Sequence, residues 1–289
     1  MSRTEMTSVQ VTKQSKRLER LLLRNTSLMA GLILVASLSI FAASASILAP
    51  NGPLAVNLND IYQAPNMLHL FGTDDLGRDT FARVIWGTRI SLMVGFAAAA
   101  IAAAIGIIVG SVAGYFGGYV DTILMRFVDV MLSIPTFFLI LLIALIFGGN
   151  EFIIVFIIGF TIWPNGARLL RGEMLKLRDQ DFVNAARVAG APARMIMFSE
   201  LLPITIYPLI VDSGLRVGSA ILTEASLGFL GVGDPNAASL GWLLNEAISS
   251  FRSAWWTGLF PGLILCLAVL GFNLIADGLN QALNVKLRW

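Results

Sequence analysis

The sequence predicts an all-α membrane protein of six transmembrane helices, and three observations predict it. Of its 289 residues 56% are hydrophobic and only 13% charged, with a mean hydropathy of +0.78. Soluble domains hold about 45–50% apolar and 25% charged residues. The chain also carries six apolar runs, each close to the roughly 20 residues that a spanning helix needs. Its basic residues, finally, are skewed between alternate connections, which orients the spans with both termini in the cytoplasm. The net charge of +2 decides nothing by itself. Cys266 is the sole cysteine, so an internal disulfide and a cysteine metal cluster are both excluded.

Residues 1–25 form a basic tail with Lys13, Lys16, Arg17, Arg20 and Arg24, and 26–289 read as one transmembrane domain. The first span, about 27–48, is too long for a cleavable signal peptide and no small-residue cleavage site follows it. The others are expected near 90–115, 127–147, 152–170, 204–228 and 258–282, each bounded by charges or by Pro and Gly. Of the 20 Lys and Arg, six precede the first span, six lie between the fourth and fifth, and two are in the C-terminal tail. Arg126 borders the remaining cytoplasmic turn, while only Arg78, Arg83, Arg89 and Arg252 fall on the opposite face. In the second span Gly106, Gly110 and Gly114 make two GxxxG pairs, a packing pattern that serves either this chain or a neighbouring subunit.

Between the first two spans, Thr73, Asp74 and Asp75 precede Phe81, Val84 and Ile85, which repeat at i, i+3, i+4. That predicts a capped amphipathic helix at the outer interface feeding the second span. The same face could instead serve as a contact surface for another protein. His69, the one histidine, has no second imidazole with which to share a metal, and reads as a hydrogen-bonded loop residue.

Ionisable residues at membrane depth are costly, so Asp129, Asp212, Arg216, Glu224 and Asp277 are candidate pathway residues. Asp212 and Arg216 are four apart and can pair on one helix, which gives a purely structural alternative.

The connection 171–203 holds the segment DFVNAARVAGAPARMIMFSELLP, Asp181 to Pro203. Ala185 with Ala189, and Ala186 with Gly190, are i,i+4 pairs that leave a shallow face on a short helix, and Gly190 followed by Pro192 is a normal helix stop. A second short helix, 194–202, leads into Pro203. The shallow face suits docking in a groove of another protein, or an ordinary loop helix packed on its own bundle.

The spacing Asn184-Ala185-Ala186, Gly190, Leu202-Pro203 resembles the coupling loop of permease subunits of ATP-binding-cassette importers. Asn184 stands where that family usually has glutamate, so an ion pair from this position does not carry over. HLFGTDDLGRD, His69 to Asp79, with Gly72, Thr73, Asp74, Gly77, Arg78 and Asp79, resembles the signature before the second span of the C-type permease in the dipeptide, oligopeptide and nickel subfamily. SLGFLGVGDP, Ser226 to Pro235, and FNLIADGLNQALNVKLR, Phe272 to Arg288, resemble two further stretches of that family in the same order.

The resemblance implies a type I importer permease fold in the bacterial inner membrane. It also implies a second homologous permease, two ATP-binding subunits docked at 181–203, an extracytoplasmic solute-binding protein, and lipid as the surrounding partner, with no nucleic acid. This chain would be non-catalytic and bind no cofactor, ATP and Mg²⁺ belonging to the ATPases. The sequence agrees, for it contains no Gly-Lys pair and so no Walker phosphate loop. Di- or oligopeptides are the expected cargo, moved by alternating access, with nickel, glutathione or another small solute as alternatives. Rival readings are an ion-driven transporter that uses the intramembrane carboxylates as a proton relay, and a non-transporting scaffold.

Overall fold

The structure, a computed structural model, describes residues 25–284; the basic tail before Asn25 and the last five residues lie outside it. Its helices of eight residues or more, in chain order, are α1 (Thr26–Ala43), α2 (Thr80–Phe116), α3 (Gly118–Ser133), α4 (Thr136–Phe147), α5 (Glu151–Leu177), α6 (Asp181–Val188), α7 (Tyr207–Phe229), α8 (Leu240–Ser250) and α9 (Trp256–Asn284). Of these, α1, α2, α5 and α9 are each long and apolar enough to cross a membrane. Two bent pairs raise the number to six if each is counted as one span.

Both bends have a cause in proline. The third apolar run, expected as one helix over 127–147, is split at Ile134-Pro135, and α3 and α4 diverge by 81°. Proline clashes with a helical residue before it, and Ile134 accordingly adopts the extended conformation at φ −89°, ψ 128°. The second bend, 66°, separates residues 193–205 from α7. Pro208 in the first turn of α7 cannot donate to the carbonyl four residues back, so the ladder is interrupted there.

The expected separate interfacial helix is instead the first ten residues of α2, which runs unbroken for 37 residues. At 1.5 Å per residue that is about 55 Å, well beyond the ~30 Å hydrocarbon layer. Its cap is Asp79, whose carboxylate accepts from Ala82 N at 3.3 Å, rather than residues 73–75. Similarly α5 continues past residue 170 to Leu177, so Arg171 and Lys176 are helical.

The α2–α5 contact is close, and the GxxxG glycines face α5 within the same chain. A Cβ on Gly110 would lie 2.7 Å from the Ala167 carbonyl oxygen. A second apolar core joins α1, α2, α7, α8 and α9 through Leu38, Val84, Leu92, Ile221, Leu240 and Phe272.

Candidate functional site

The connection between α5 and α7 is built around α6. Val183 is fully buried with Leu170 and Met174 of α5 and with Ile196, Leu201 and Leu209, and Ala186 packs partly against the same group. The four small residues therefore divide: Ala186 turns inward, while Ala185, Ala189 and Gly190 are exposed.

Gly190 ends the helix at φ +78°, the left-handed conformation that glycine adopts at least cost. Its N–H reaches the Arg187 carbonyl at 3.0 Å and the Ala191 N–H reaches the Ala186 carbonyl at 3.0 Å, which satisfies the orphan carbonyls of the last turn. Asn184 is occupied locally: its amide donates to the Asp179 carbonyl at 3.2 Å and its oxygen accepts from Arg187 at 3.2 Å. The Arg187 guanidinium also lies 5.6 Å from the centre of the Tyr115 ring, at the end of α2. Pattern reading misses Val188, which is 90% exposed beside Gly190. It also misses the π-helical turn Ile196–Leu201 that leads to half-buried Leu202 and exposed Pro203.

The intramembrane candidates do not converge on one site. Asp212 and Arg216 form a two-pronged pair along α7, both contacts 3.1 Å, with about a quarter of each side chain exposed. Asp129 on α3 accepts from Arg168 on α5 at 2.6 Å, both half exposed, and Asp121 pairs with Arg171 beside it. Those two pairs tie the bent span to α5. Glu224 is buried and accepts from the Ser91 hydroxyl of α2 at 2.8 Å, with Ser239 at the start of α8 as a second partner. Asp277 is exposed.

The segment expected to cap an interfacial helix is a compact internal cluster. Asp74 accepts from Leu76 N at 2.9 Å, Arg78 N at 2.8 Å, Arg78 Nε at 2.6 Å and Arg83 Nη1 at 2.7 Å. Arg83 also lies 2.6 Å from Glu246 of α8. Burial works against the Arg78 charge, but Asp74, Glu246 and Asp75 outweigh it and raise its pKa above the usual arginine value. Thr73 holds the same segment to α9, its carbonyl accepting from Trp256 Nε1 at 3.0 Å. Gly77, at φ +68°, has no room for a side chain, since a Cβ would collide with the Asn57 carbonyl. His69 stands between Asp60 and Asp79 at 3.7 and 3.6 Å.

Residues 106–289 match the family described as binding-protein-dependent transport system inner membrane component. The chain is 43% identical over 273 residues to the dipeptide transport system permease protein of Escherichia coli strain K12, covering 92% of this chain and 91% of that one. It is 36% identical over 265 residues to the oligopeptide transport system permease protein of Bacillus subtilis strain 168, covering 91% and 87%. With more than half its length matched by the family and relatives aligned nearly end to end, this chain belongs to the binding-protein-dependent transport system inner membrane components.

Proposed function

We propose that this chain is one of two permease subunits in an ATP-driven importer of di- and oligopeptides in the bacterial inner membrane. The six spans would be α1, α2, α3 with α4, α5, residues 193–229, and α9, with both termini in the cytoplasm. Segment 171–203 would meet the ATPases. A homologous permease would complete the pathway, and an extracytoplasmic binding protein would deliver the solute. ATP and Mg²⁺ would be held by the ATPases and nothing catalytic by this chain. The peptide class is taken from the two relatives.

The observation that carries the coupling role is the double-sided construction of α6. One side, Val183 with Ala186, is rooted in the core formed by α5 and the base of α7. The other presents Ala185, Val188, Ala189 and Gly190, small or exposed apolar groups that suit a shallow groove on another protein. Force applied to the outer side would be transmitted to α5 directly, and to α7 through the 66° elbow at residue 206. ATP-bound closure of the ATPases would bring two such helices together and open the cavity outward, and hydrolysis would reset it.

The test is Gly190→Asp in the reconstituted complex. Space around Gly190 is open, but its backbone conformation disfavours any other residue. Loss of ATPase retention, or ATP hydrolysis without uptake, is expected; unchanged ATPase binding and unchanged uptake would overturn the coupling role. Uptake that persists without ATP and collapses with the proton gradient would favour an ion-driven transporter instead.

A further inference from the structure

The ion cluster at the start of α2 leaves several of its own hydrogen-bonding groups unused. Arg83 gives Nη1 to Asp74 at 2.7 Å, but its Nε and Nη2 are buried and make no hydrogen bond among the described residues. The same holds for Thr80 Oγ1, and for Glu246 Oε2, which lies 2.6 Å from Arg83 Nη1 without hydrogen-bond alignment. Thr80 and Arg83 are each 3% exposed, so bulk solvent does not reach these atoms. A buried donor without a partner is costly, and more so when it belongs to a charged group.

All three residues line one cavity of about 20 Å³, walled elsewhere by Leu243 and Ala247 of α8 and Thr257 of α9 among others. A water needs roughly 10–15 Å³ of such space and two to four polar partners. The cavity therefore has room for one water and for no organic ligand.

We propose that this cavity is a binding site for a single structural water that joins α2 to α8. The Nε–H of Arg83 and one Nη2–H leave the same edge of the planar guanidinium side by side, so one oxygen can accept both. The two hydrogens of that water go to Glu246 Oε2 and Thr80 Oγ1, and all four orphan atoms are satisfied together.

Charge decides between water and an ion of similar size. Two cations, Arg78 and Arg83, stand against three anions, Asp74, Asp75 and Glu246, each within 3.4 Å of a guanidinium, so the cluster carries one net negative charge. An anion on the free edge of Arg83 would be held close to Glu246 and Asp74. A cation would meet the unpaired N–H groups of the guanidinium, which repel it and offer it no lone pair. Water is neutral and both donates and accepts, which suits a cavity lined by two free donors, a hydroxyl and a carboxylate oxygen.

The test is a high-resolution crystal structure of the permease–ATPase complex, with bromide in place of chloride in the medium. One peak without anomalous signal is expected about 2.7–3.2 Å from Arg83 Nε and Nη2 and from Glu246 Oε2. Well-ordered side chains with no peak between them, or Arg83 closed directly onto Glu246 and Thr80, would overturn the site. An anomalous bromide peak there overturns the water in favour of an anion. In solution, deuterium relaxation dispersion of the solubilised complex counts long-lived waters. Ala247→Val adds two methyl groups at the cavity wall and is expected to lower that count by one. An unchanged count in a folded variant overturns the proposal as well, and the density test stands even if the variant fails to fold.

Discussion

The guanidinium of Arg83, in the first turns of α2, lies 2.6 Å from the carboxylate of Glu246 on α8, and its side chain is 4% exposed. The contact joins two helices that are distant in the chain. Asp74 is the hub beneath it, holding Arg78 and Arg83 together with two backbone N–H groups. Asp74→Asn would strip the charge from that hub and leave two buried guanidinium groups with only Glu246 and Asp75 nearby. Breaking one partner of a buried ion network costs about 3–5 kcal/mol, so a large fall in the melting temperature of the purified protein is expected. Asp75, whose side chain is 55% exposed, is the control. Its Asn variant is expected to melt within about 1 kcal/mol of the parent.

Val183 and Val188 are five residues apart on one short helix and sit in opposite environments. Val183→Ala removes two methyl groups from a fully buried position, a loss of about 1.5–3 kcal/mol of local packing. It would loosen α6 from Leu170 and Met174. In the proposed coupling scheme the ATPases still bind but uptake per ATP hydrolysed falls. Val188→Asp changes a side chain that is 90% exposed, so stability is expected to hold while ATPase retention on affinity purification drops.

These two clusters also mark what the sequence can and cannot reveal. The α6 helix is legible because its signals are local: the alanine spacing, the Gly190 stop and Pro192 lie within a dozen residues. The apolar runs announce their spans for the same reason. Proline alone does not locate the breaks, since Pro164 and Pro261 lie inside continuous helices whereas Ile134-Pro135 ends one. The ion pairs Asp129–Arg168, Asp121–Arg171 and Arg83–Glu246 are invisible in the sequence, because each joins different helices and has no periodicity to betray it. Asp74 has the pattern of a helix cap, yet its acceptors are spent on Arg78 and Arg83. The exposed Val188 escapes pattern reading because an apolar residue on a short helix ordinarily faces inward.

Glu224 makes its hydrogen bonds at the junction of α2, α7 and α8. Glu224→Gln keeps an acceptor for the Ser91 hydroxyl and nearly the same volume, so folding and uptake are both expected to survive. Glu224→Ala leaves Ser91 without its partner and opens a cavity, with an expected cost of about 1–3 kcal/mol for the unsatisfied group alone. Size-exclusion recovery and uptake read the two effects separately. Recovery of folded Gln variant with no uptake would assign Glu224 to transport chemistry instead of helix positioning.

The α2–α5 seam gives the sharpest contrast between two glycines. Gly110 approaches α5 so closely that a Cβ would stand 2.7 Å from the Ala167 carbonyl oxygen and 3.0 Å from the Leu170 Cβ. Neither atom is the end of a flexible side chain, so Gly110→Ala must push the helices apart. Overpacking of this kind costs about 1–3 kcal/mol, and the displacement would carry along the α6 core that Leu170 supports. Gly172, on α5 itself, is open, and a Cβ there would meet nothing within 4 Å. At that position alanine gains helix propensity of up to about 1 kcal/mol without meeting a neighbour. Thermal melting of the purified protein is therefore expected to fall for Gly110→Ala and to hold or rise for Gly172→Ala. A fall of equal size in both would mean that the seam is not a close contact, and that the two glycines serve helix flexibility instead.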